Sequence, residues 1–480
     1  MQKKTAAQDG STSFYGDLEK LLRTQLEQEP RSKDLRIKLL ELYFETARPE
    51  EYLREARFLA QDIRDKSSSP EWQRAANMGR MLLPDHELFR LAIGDKVDFI
   101  EQSPATVRQR VKKRFGESHA SYFERLLKDY ETVRTDPKFL AELDLQLVHV
   151  ANRPSSLMHA PRLSEAGNGA QIYFKREDLS PAGSYLTISV VGQALLAKKL
   201  GRKTLVSSSS NGLRGVITAS VAARLGLKCV IYMDGKDMHL QSSNVFRMWL
   251  MGATVTAADP HTYHKGDVRE TALAHCAREP GSFMVLGLDA APQPYPMMGL
   301  EFAAVIGRET RRQLAGARRV PNLLVARAGE NADAIGFFQP FLREAQPRLA
   351  CVATRSEFTR EEKPGAIRDP FKAPMSAAEK QRAGVIMEGM EYPSVTREHA
   401  WLQASGRVDY VEVSEDAVKK AISDCGRLEG LIPPIQTAHA IAYGIQEARR
   451  MEPTETVVVA LRESMDKDIW EIGRAMGIPL

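Results

Sequence analysis

Apolar residues in the first part of the chain follow the spacing of an α-helix. They recur at steps of three and four residues in two runs, Leu35, Leu39, Leu42 and Tyr43, then Leu53, Ala56, Leu59 and Ala60. Such spacing places apolar side chains along one face of a helix. Prolines interrupt the pattern at Pro30, Pro49 and Pro84, and a serine-proline cluster does so over residues 67–70. The pattern predicts an all-α domain over residues 14–106.

The predicted helices follow one another through short connections, and this arrangement resembles helix-hairpin repeats of the tetratricopeptide type. A plain helical bundle fits the same pattern, because the repeat signature is too degenerate for units to be counted. Either arrangement predicts a module that contacts a protein partner, since a short helical stack presents a groove or needs a capping partner. The preceding residues, 1–13, are polar and predict a disordered tail.

After about residue 170, helical and strand-like segments alternate. Alternation of this kind predicts a parallel β-sheet covered by helices, which is an α/β architecture. The length of 480 residues exceeds one ordinary domain, and a hydrophobic content of 43% suffices for more than one core. The sequence therefore predicts an all-α N-terminal domain followed by a larger α/β domain.

Charge and composition exclude several classes of protein. The net charge is +5, and acidic and basic residues are interleaved, so a nucleic-acid partner is not expected. No apolar run is long enough to span a bilayer, which argues against a membrane protein. The polar start of the chain does not predict a secretory signal. The four cysteines are far apart and lack metal-ligand spacing, so we expect buried thiols, no metal and a cytoplasmic location.

Several segments after residue 107 carry a family resemblance. They are the run Lys175-Arg176-Glu177-Asp178-Leu179 and the stretches 114–116, 135–143, 152–157, 295–298, 305–313, 398–402, 405–407 and 466–468. Together they resemble the β subunit of tryptophan synthase, an enzyme of pyridoxal 5′-phosphate (PLP) fold type II. The resemblance implies a two-subdomain α/β fold over residues 107–480, with the cofactor between the subdomains. The family forms β dimers that dock α subunits, so the resemblance implies a homodimer and leaves open whether an α-like subunit docks on this chain.

Leu186 occupies the position that carries the Schiff-base lysine in that family. A leucine has no amine, so it cannot capture the cofactor aldehyde or carry a proton to and from the substrate. Nearby Lys175, Lys198 and Lys199 match other family positions or lie on an exposed helical stretch. We therefore do not expect one of these three lysines to replace the missing amine.

A second family site follows a strand-like segment, where the family has a glutamate base and a loop that binds the substrate carboxylate. Here Ser208 takes the place of the glutamate, and a serine hydroxyl has no useful basicity near neutral pH. The loop still opens a helix, so it remains a candidate anion-binding site. Its possible ligand-binding residues are Ser209, Ser210, Asn211, Gly212 and Arg214. A solvated turn with a serine cap explains the same residues equally well.

The glycine-rich phosphate cup of the family is replaced in this chain by Gly329, Glu330, Asn331, Ala332 and Asp333. Glycines in such a cup let backbone N–H groups approach a dianion closely, whereas two carboxylates would repel it. One unit-charge pair at ~4 Å contributes roughly 4 kcal/mol at an effective dielectric constant of about 20. Phosphate binding is therefore not expected here.

Three further family positions also differ in their chemistry. Arg462 replaces the serine that meets the pyridine nitrogen, and it is larger and permanently charged. Gln436 stands where the family has a glutamate, and Glu391 keeps an acid where the family has an aspartate. No cofactor-binding position of the family is therefore intact in this sequence.

These changes predict a vacated cofactor space that side chains fill. We hypothesise that Arg462, with Arg214 and Arg327 as further candidates, pairs with Glu330 or Asp333. The physical reason is that a charge buried in such a space needs a partner of opposite charge.

Two functions from different classes remain open. The first is a pseudoenzyme that needs no cofactor and acts as a protein-interaction or metabolite-binding module, with Leu186, Ser208 and Glu391 as degenerate catalytic positions. The alternative is a divergent PLP-dependent lyase of the tryptophan synthase β type, acting on serine or a related amino acid. A cofactor-free enzyme would have to use Ser208, Ser209 and Arg214, and a serine without a base is a weak nucleophile.

Overall fold

The structure is a computed structural model that describes residues 6–46, 48–63, 69–83, 117–258, 268–287, 292–328, 332–344, 346–353, 406–464 and 469–477, with a few isolated positions between them. The chain forms two compact units. The first comprises Met1–Asp95, Thr310–Leu323 and Phe341–Arg348, and the second comprises Lys96–Glu309, Leu324–Pro340 and Leu349–Leu480.

The N-terminal part of the first unit is helical, as the apolar spacing predicts. Its helices are α1 (Ala6–Gln28), α2 (Lys33–Glu45), α3 (Pro49–Asp62) and α4 (Pro70–Leu82). Ser32 and Ser69 cap α2 and α4 by accepting hydrogen bonds from backbone N–H groups. Tyr43, Tyr52 and Leu59 are fully buried, so the apolar face of the sequence pattern forms the core of this region.

The predicted boundaries of this region agree only in part with the structure. Helix α1 begins at Ala6, so residues 6–13, which the sequence assigns to a disordered tail, belong to a helix. The predicted boundary at residue 106 falls outside the described residues and stays a prediction. The choice between tetratricopeptide-type repeats and a plain bundle also stays open.

The chain after residue 150 builds two β-sheets. Their strands are β1 (Leu157–His159), β2 (Gln171–Arg176), β3 (Thr204–Ser208), β4 (Lys228–Met233), β5 (Thr254–Ala257), β6 (Ser282–Val285), β7 (Leu323–Arg327), β8 (Arg348–Val352), β9 (Asp409–Val411) and β10 (Thr456–Leu461). The larger sheet has the order β1-β2-β10-β7-β8-β9, and the smaller has the order β5-β4-β3-β6.

Parallel pairing dominates both sheets. In the smaller sheet β3 pairs in parallel with β4 and β6, and β4 pairs in parallel with β5. In the larger sheet β2 is parallel to β10 and β8 is parallel to β9, whereas β1 is antiparallel to β2. Strands β7 and β10 are buried along their whole length, as expected of strands inside a helix-covered sheet. The predicted α/β fold is confirmed.

The described chain outside the strands and the N-terminal helices forms further helices. They are α5 (Glu117–Val133), α6 (Pro137–Ala151), α7 (Pro161–Gly167), α8 (Leu186–Lys199), α9 (Leu213–Leu225), α10 (Gly235–Leu240), α11 (Ser242–Leu250), α12 (Val268–Arg278), α13 (Tyr295–Gly316), α14 (Asp333–Phe338), α15 (Glu415–Asp424), α16 (Ile435–Ala448) and α17 (Ile469–Ala475). Helix α8 is buried from its first residue to Ala197. Most of its side chains are apolar, as in helices at the centre of a protein, and its buried Gln193 forms hydrogen bonds with the backbone of Leu286.

Two general properties follow from the described residues. Among them, no helix combines the length and the apolar composition that crossing a membrane requires. Nor does this part of the chain place three or more His, Cys, Asp or Glu side chains together as metal ligands. All four cysteines are buried and free of disulfide bonds, which confirms the prediction of buried thiols.

Candidate functional site

Leu186 is the first residue of α8, and it is buried at 8% exposure. The segment before it is fixed against the segment that follows β10. The N–H of Ser464 donates to the carbonyl of Gly183 at 2.8 Å, and the N–H of Tyr185 donates to the carbonyl of Arg462 at 3.3 Å. Gly183 has a φ of +68°, and an added Cβ would lie 2.6 Å from Cβ of Ser464. A glycine is therefore required for this close approach.

Arg462 directly follows β10 and forms a buried ion pair with Asp333, the first residue of α14. Its Nε lies 2.6 Å from Oδ2 of Asp333, and the two side chains are 3% and 4% exposed. Among the described residues, neither atom has a hydrogen-bond partner, so the contact is a charge pair rather than an aligned hydrogen bond. The hypothesis that Arg462 pairs with Asp333 is confirmed.

Tyr185 completes the contacts of this guanidinium. The phenol oxygen of Tyr185 accepts a hydrogen bond from Nη2 of Arg462 at 3.1 Å, and the guanidinium carbon lies 5.0 Å from the centre of the tyrosine ring. A cation at this distance from an aromatic ring is attracted to it. Tyr185 thus links the residue beside Leu186 to the ion pair.

The pKa values of Asp333 and Arg462 reflect their burial away from water. Burial raises the pKa of Asp333 to about 6, although Arg462 and Arg327 lower it. Burial opposes the charge on Arg462, but Asp333, followed by Tyr185 and Glu463, outweighs this effect and raises its pKa. The guanidinium therefore stays charged in the interior. The pKa of the Asp333 carboxyl group lies closer to neutral pH than that of an ordinary aspartate.

Two neutral histidines share this environment. Burial, together with the charges of Arg327 and Arg462, lowers the pKa of His399 to about 3. Burial also lowers the pKa of His439 to about 4, helped by Arg327 and opposed by its hydrogen bond to the carbonyl of Ile435. Both imidazoles are therefore uncharged near neutral pH and add no positive charge to the arginines.

The loop between β3 and α9 contains the predicted ligand-binding residues. Ser208 ends β3 and is buried, and Ser210 and Asn211 are exposed. The Oγ of Ser209 is buried and has no hydrogen-bond partner among the described residues. Its backbone N–H donates to the carbonyl of Tyr232 at 3.1 Å. The loop thus offers one unsatisfied hydroxyl immediately before its exposed residues.

The N-cap residue of α9 is Gly212, and no described side chain, serine or other, caps the helix. The N–H of Leu213 donates to Oδ1 of Asn211, the residue before the cap, at 3.1 Å. Gly212 has a φ of +79°, and an added Cβ would lie 2.6 Å from Cβ of Asn244, so the loop requires glycine here. Arg214 follows in the first turn of α9 and is partly exposed.

The three candidate lysines have other partners or are exposed. Nζ of Lys175 is fully buried and donates to Oε2 of Glu309 and to the carbonyl of Ser155, both at 2.9 Å. Burial lowers the pKa of Lys175, and Glu309 opposes this effect. Lys199 pairs with Asp136 at 2.9 Å, and Lys198 is exposed. The expectation that these amines serve other purposes therefore agrees with the structure.

Other predicted positions are placed only in part. Gln436 is buried in the first turn of α16, and Ala332 is buried directly before α14. The predicted positions that lie outside the described residues are Gly329, Glu330, Asn331 and Glu391. Of the two carboxylates predicted to repel a phosphate, the structure describes only Asp333, which is paired with Arg462, so the repulsion stays a prediction.

Sequence reasoning missed several members of this site. No role was predicted for Tyr185, His399 or His439, although Tyr185 adjoins Leu186 in the chain. A second missed group is the buried charge cluster around Arg153, which pairs with both Glu177 and Glu309. Arg153, Glu177 and Glu309 lie in segments that carry the family resemblance. The sequence contains no other indication that these three residues form a cluster.

The comparisons with known proteins agree with this architecture. Residues 148–463 match the family described as pyridoxal-phosphate dependent enzyme. The match covers more than half of the chain, which therefore belongs to that family. Within the family it is a tryptophan synthase β-like protein of PLP fold type II.

Similar curated proteins bear the name tryptophan synthase beta chain. The chain is 36% identical to that of Chromobacterium violaceum over 378 residues, covering 74% of this chain and 93% of the relative. It is 34% identical over 364 residues to those of Bordetella parapertussis and Bordetella bronchiseptica, covering 73% of this chain and 91% of each relative. The resemblance found in the sequence is thus confirmed.

Proposed function

We propose that this chain is a tryptophan synthase β-like pseudoenzyme that does not use PLP and acts as a module for binding a protein or a metabolite. The observation that carries the proposal is the buried ion pair between Arg462 and Asp333, located beside Leu186. Both residues stand at positions that the family resemblance assigns to contacts with the cofactor.

The described residues do not fit the family cofactor at its reactive end. A covalent attachment needs an amine, and Leu186 supplies an aliphatic side chain instead. Lys175 is held by Glu309 inside the protein, and Lys199 is paired at the surface. Recruiting Lys175 would leave a buried carboxylate without one of its partners, which costs several kcal/mol.

The described residues also do not fit the cofactor at its anionic end. A phosphate dianion near Asp333 would compete with that carboxylate for Arg462. Pulling Arg462 away from Asp333 would leave a buried, unpaired charge, a change that costs about 3–5 kcal/mol in comparable ion pairs. Energy of this size corresponds to a loss of two to four powers of ten in affinity.

A metabolite-binding role is supported by the loop between β3 and α9. The unsatisfied hydroxyl of Ser209 and the exposed residues Ser210 and Asn211 lie before the N-terminus of a helix, a location that favours anions. Gly212 and Arg214 complete this candidate site for a small carboxylate. The N-terminal helices supply the surface for a protein partner.

The proposal also covers assembly and location. We propose a homodimer, as the family resemblance implies, and a further protein partner at the N-terminal helices. We place the protein in the cytoplasm, where a reducing environment suits four buried free thiols. We propose no nucleic-acid partner, because acidic and basic residues are interleaved.

The test is incubation of the purified full chain with PLP, followed by borohydride reduction and peptide mass spectrometry. We expect a colourless protein with no trapped adduct, while a PLP-dependent enzyme treated in parallel becomes labelled. A stoichiometric adduct on one lysine would overturn the proposal. It would assign the chain instead to the alternative, a divergent PLP-dependent lyase of the tryptophan synthase β type.

A further inference from the structure

Helix α1 buries little apolar surface against its neighbours. Among its described side chains, which begin at Tyr15, Leu22 is the only apolar one that is buried, and Leu21 is 55% exposed. Helix α2, by contrast, buries Ile37, Leu39, Leu40, Leu42, Tyr43 and Phe44. Burial of an apolar face is the main contribution that fixes a helix in a fold. The described part of α1 is therefore attached only weakly by apolar packing.

Polar contacts of Glu19 and Arg23, which lie one turn apart, attach α1 instead. The Tyr43 hydroxyl donates to Oε1 of Glu19 at 2.7 Å, and Nη1 of Arg48 donates to Oε2 of Glu19 at 2.6 Å. Nη2 of Arg23 donates to the Tyr43 oxygen at 2.6 Å. Nη1 of Arg23 lies 3.6 Å from Oε1 of Glu55 on α3. We call Glu19 and Arg23 the α1 clasp.

The α1 clasp is charged and open to solvent. Burial raises the pKa of Glu19, but hydrogen bonds from Tyr43, Arg48 and Arg23 outweigh burial and lower the pKa to about 2. The side chains of Arg23 and Arg48 are 39% and 38% exposed, so water and salt ions screen their contacts with Glu19. The attachment of α1 should therefore weaken as the ionic strength rises.

The helices on the other side of the clasp keep their charges paired without α1. Arg48 also contacts Glu51 at 2.6 Å, and Glu55 also contacts Arg36 at 2.8 Å. Breaking a buried ion pair is most costly when it leaves one charge alone in the interior. Because Arg48 and Glu55 each have a second partner, release of α1 leaves neither charge alone.

The sequence of α1 also makes it a weak helix. Gly10 and Gly16 lie inside it, and glycine is, after proline, the least favourable residue in a helix interior. A Cβ at Gly16 would meet no atom within 4 Å, so packing does not require glycine there. The last turn has no basic residue and contains Glu27, whose charge is unfavourable near the carboxyl end of a helix. These features favour a helix that detaches.

Helix α1 lies at the end of the helical stack. It packs chiefly on α2, whereas α2 packs on α1, α3 and α4. An end helix of such a stack covers the apolar surface of the next helix. Tyr43 of α2, which contacts both residues of the clasp, is fully buried. Release of α1 would open the side of α2 that carries Tyr43 to another helix.

From these observations we infer that α1 is a releasable cap and that a helix of a protein partner takes its place on α2. The partner helix has the chemistry of α1 itself, a Glu-x-x-apolar-Arg pattern that reproduces Glu19, Leu22 and Arg23. This inference rests on the proposed function in assigning a protein partner to the N-terminal helices. It does not involve the cofactor site, so its failure leaves the PLP trapping result unaffected.

The first experiment measures hydrogen exchange of backbone amides in the full chain by mass spectrometry. Amides of α1 should exchange at least about tenfold faster than those of α2, and faster still in about 1 M salt. Glu19→Gln should raise the α1 rate about tenfold, and Gly16→Ala should lower it. The matched control Glu27→Gln changes an exposed carboxylate on the same helix and should not raise it. Equal protection of α1 and α2, or an α1 rate that ignores Glu19→Gln, would overturn the inference.

The second experiment uses a fluorescein-labelled synthetic peptide of residues 6–28, the sequence of α1, and measures its binding to the full chain by anisotropy. The peptide should bind the Glu19→Gln chain, whose own α1 is released. It should bind the wild type about tenfold more weakly, because the tethered α1 competes at a high effective concentration. A peptide carrying Glu19→Gln should bind neither chain, whereas a peptide carrying Glu27→Gln should bind like the wild-type peptide. Equal binding of the Glu19 and Gln peptides, or no binding of the wild-type peptide to the Glu19→Gln chain, would refute the exchange.

Discussion

Arg462 and Asp333 are joined by a buried ion pair, with 2.6 Å between Nε and Oδ2. Arg462 follows the last strand of the larger sheet, whereas Asp333 begins a helix after a different strand. Tyr185, the residue before Leu186, stacks on the same guanidinium. The pair therefore ties together three segments of the chain that the family resemblance assigns to cofactor binding.

Replacing Arg462 tests the contribution of this pair to stability. In Arg462→Met, Asp333 keeps a buried carboxyl group without its cation, and we expect a loss of about 3–5 kcal/mol in the free energy of unfolding at pH 7.5. Urea denaturation measures this loss. The control Lys420→Ala removes an exposed pair with Asp424 and should change stability by less than about 0.5 kcal/mol. Equal effects of the two substitutions would contradict the assignment.

His439 should make stability depend on acid pH. Its pKa is lowered from 6.5 to about 4 in the folded protein, so the unfolded chain binds a proton more readily. The stabilising contribution is complete above pH 6.5 and is lost as the pH falls toward 4, by about 3 kcal/mol. Asp333 acts in the opposite direction, because its raised pKa removes stability as the pH rises from about 4 to about 6.

The measurement compares urea denaturation of the wild type and His439→Gln across this pH range. The variant should lose the part of the acid-induced destabilisation that belongs to His439. The control His159→Gln changes an exposed histidine and should retain the slope of the wild type. A His439→Gln variant with an unchanged slope would show that His439 is protonated as easily in the fold as outside it.

Restoring a lysine alone should not restore PLP binding. In Leu186→Lys the ion pair of Arg462 and Asp333 remains, and a phosphate that drew Arg462 to itself would leave the carboxylate of Asp333 buried without its cation. We expect no borohydride-trapped adduct on the lysine introduced in this variant. The triple variant Leu186→Lys/Arg462→Ser/Asp333→Asn removes the pair and should show more trapped cofactor by mass spectrometry. Full labelling of the single variant would refute the role assigned to the pair.

The buried cluster around Glu309 should contribute strongly to stability. Glu309 accepts hydrogen bonds from Nε of Arg153 at 3.0 Å and from Nζ of Lys175 at 2.9 Å. In Glu309→Gln both cations lose a counter-charge in the interior, and we expect a loss of about 3–5 kcal/mol. Thermal and urea unfolding measure it. Lys199→Ala, which breaks an exposed pair, provides the comparison and should leave the midpoint nearly unchanged.

Much of the fold can be predicted from local patterns in the sequence. The helical spacing of Leu35, Leu39 and Leu42 predicts a helix, and the structure places one at Lys33–Glu45. Such patterns are reliable because each depends only on residues a few positions apart. The disordered tail over residues 1–13 is predicted from polar composition alone. Helix α1 begins within it, at Ala6, because composition does not show where a helix begins.

The sequence by itself determined that the chain has a tryptophan synthase β-like fold and that Leu186 offers no amine, since these conclusions need only residue identities and their order. Only the tertiary structure decided that Arg462 pairs with Asp333, that the ring of Tyr185 lies under its guanidinium, and that the buried His399 and His439 are neutral. Pairing, burial and pKa depend on distances between segments remote in the chain, and no local spacing encodes those distances.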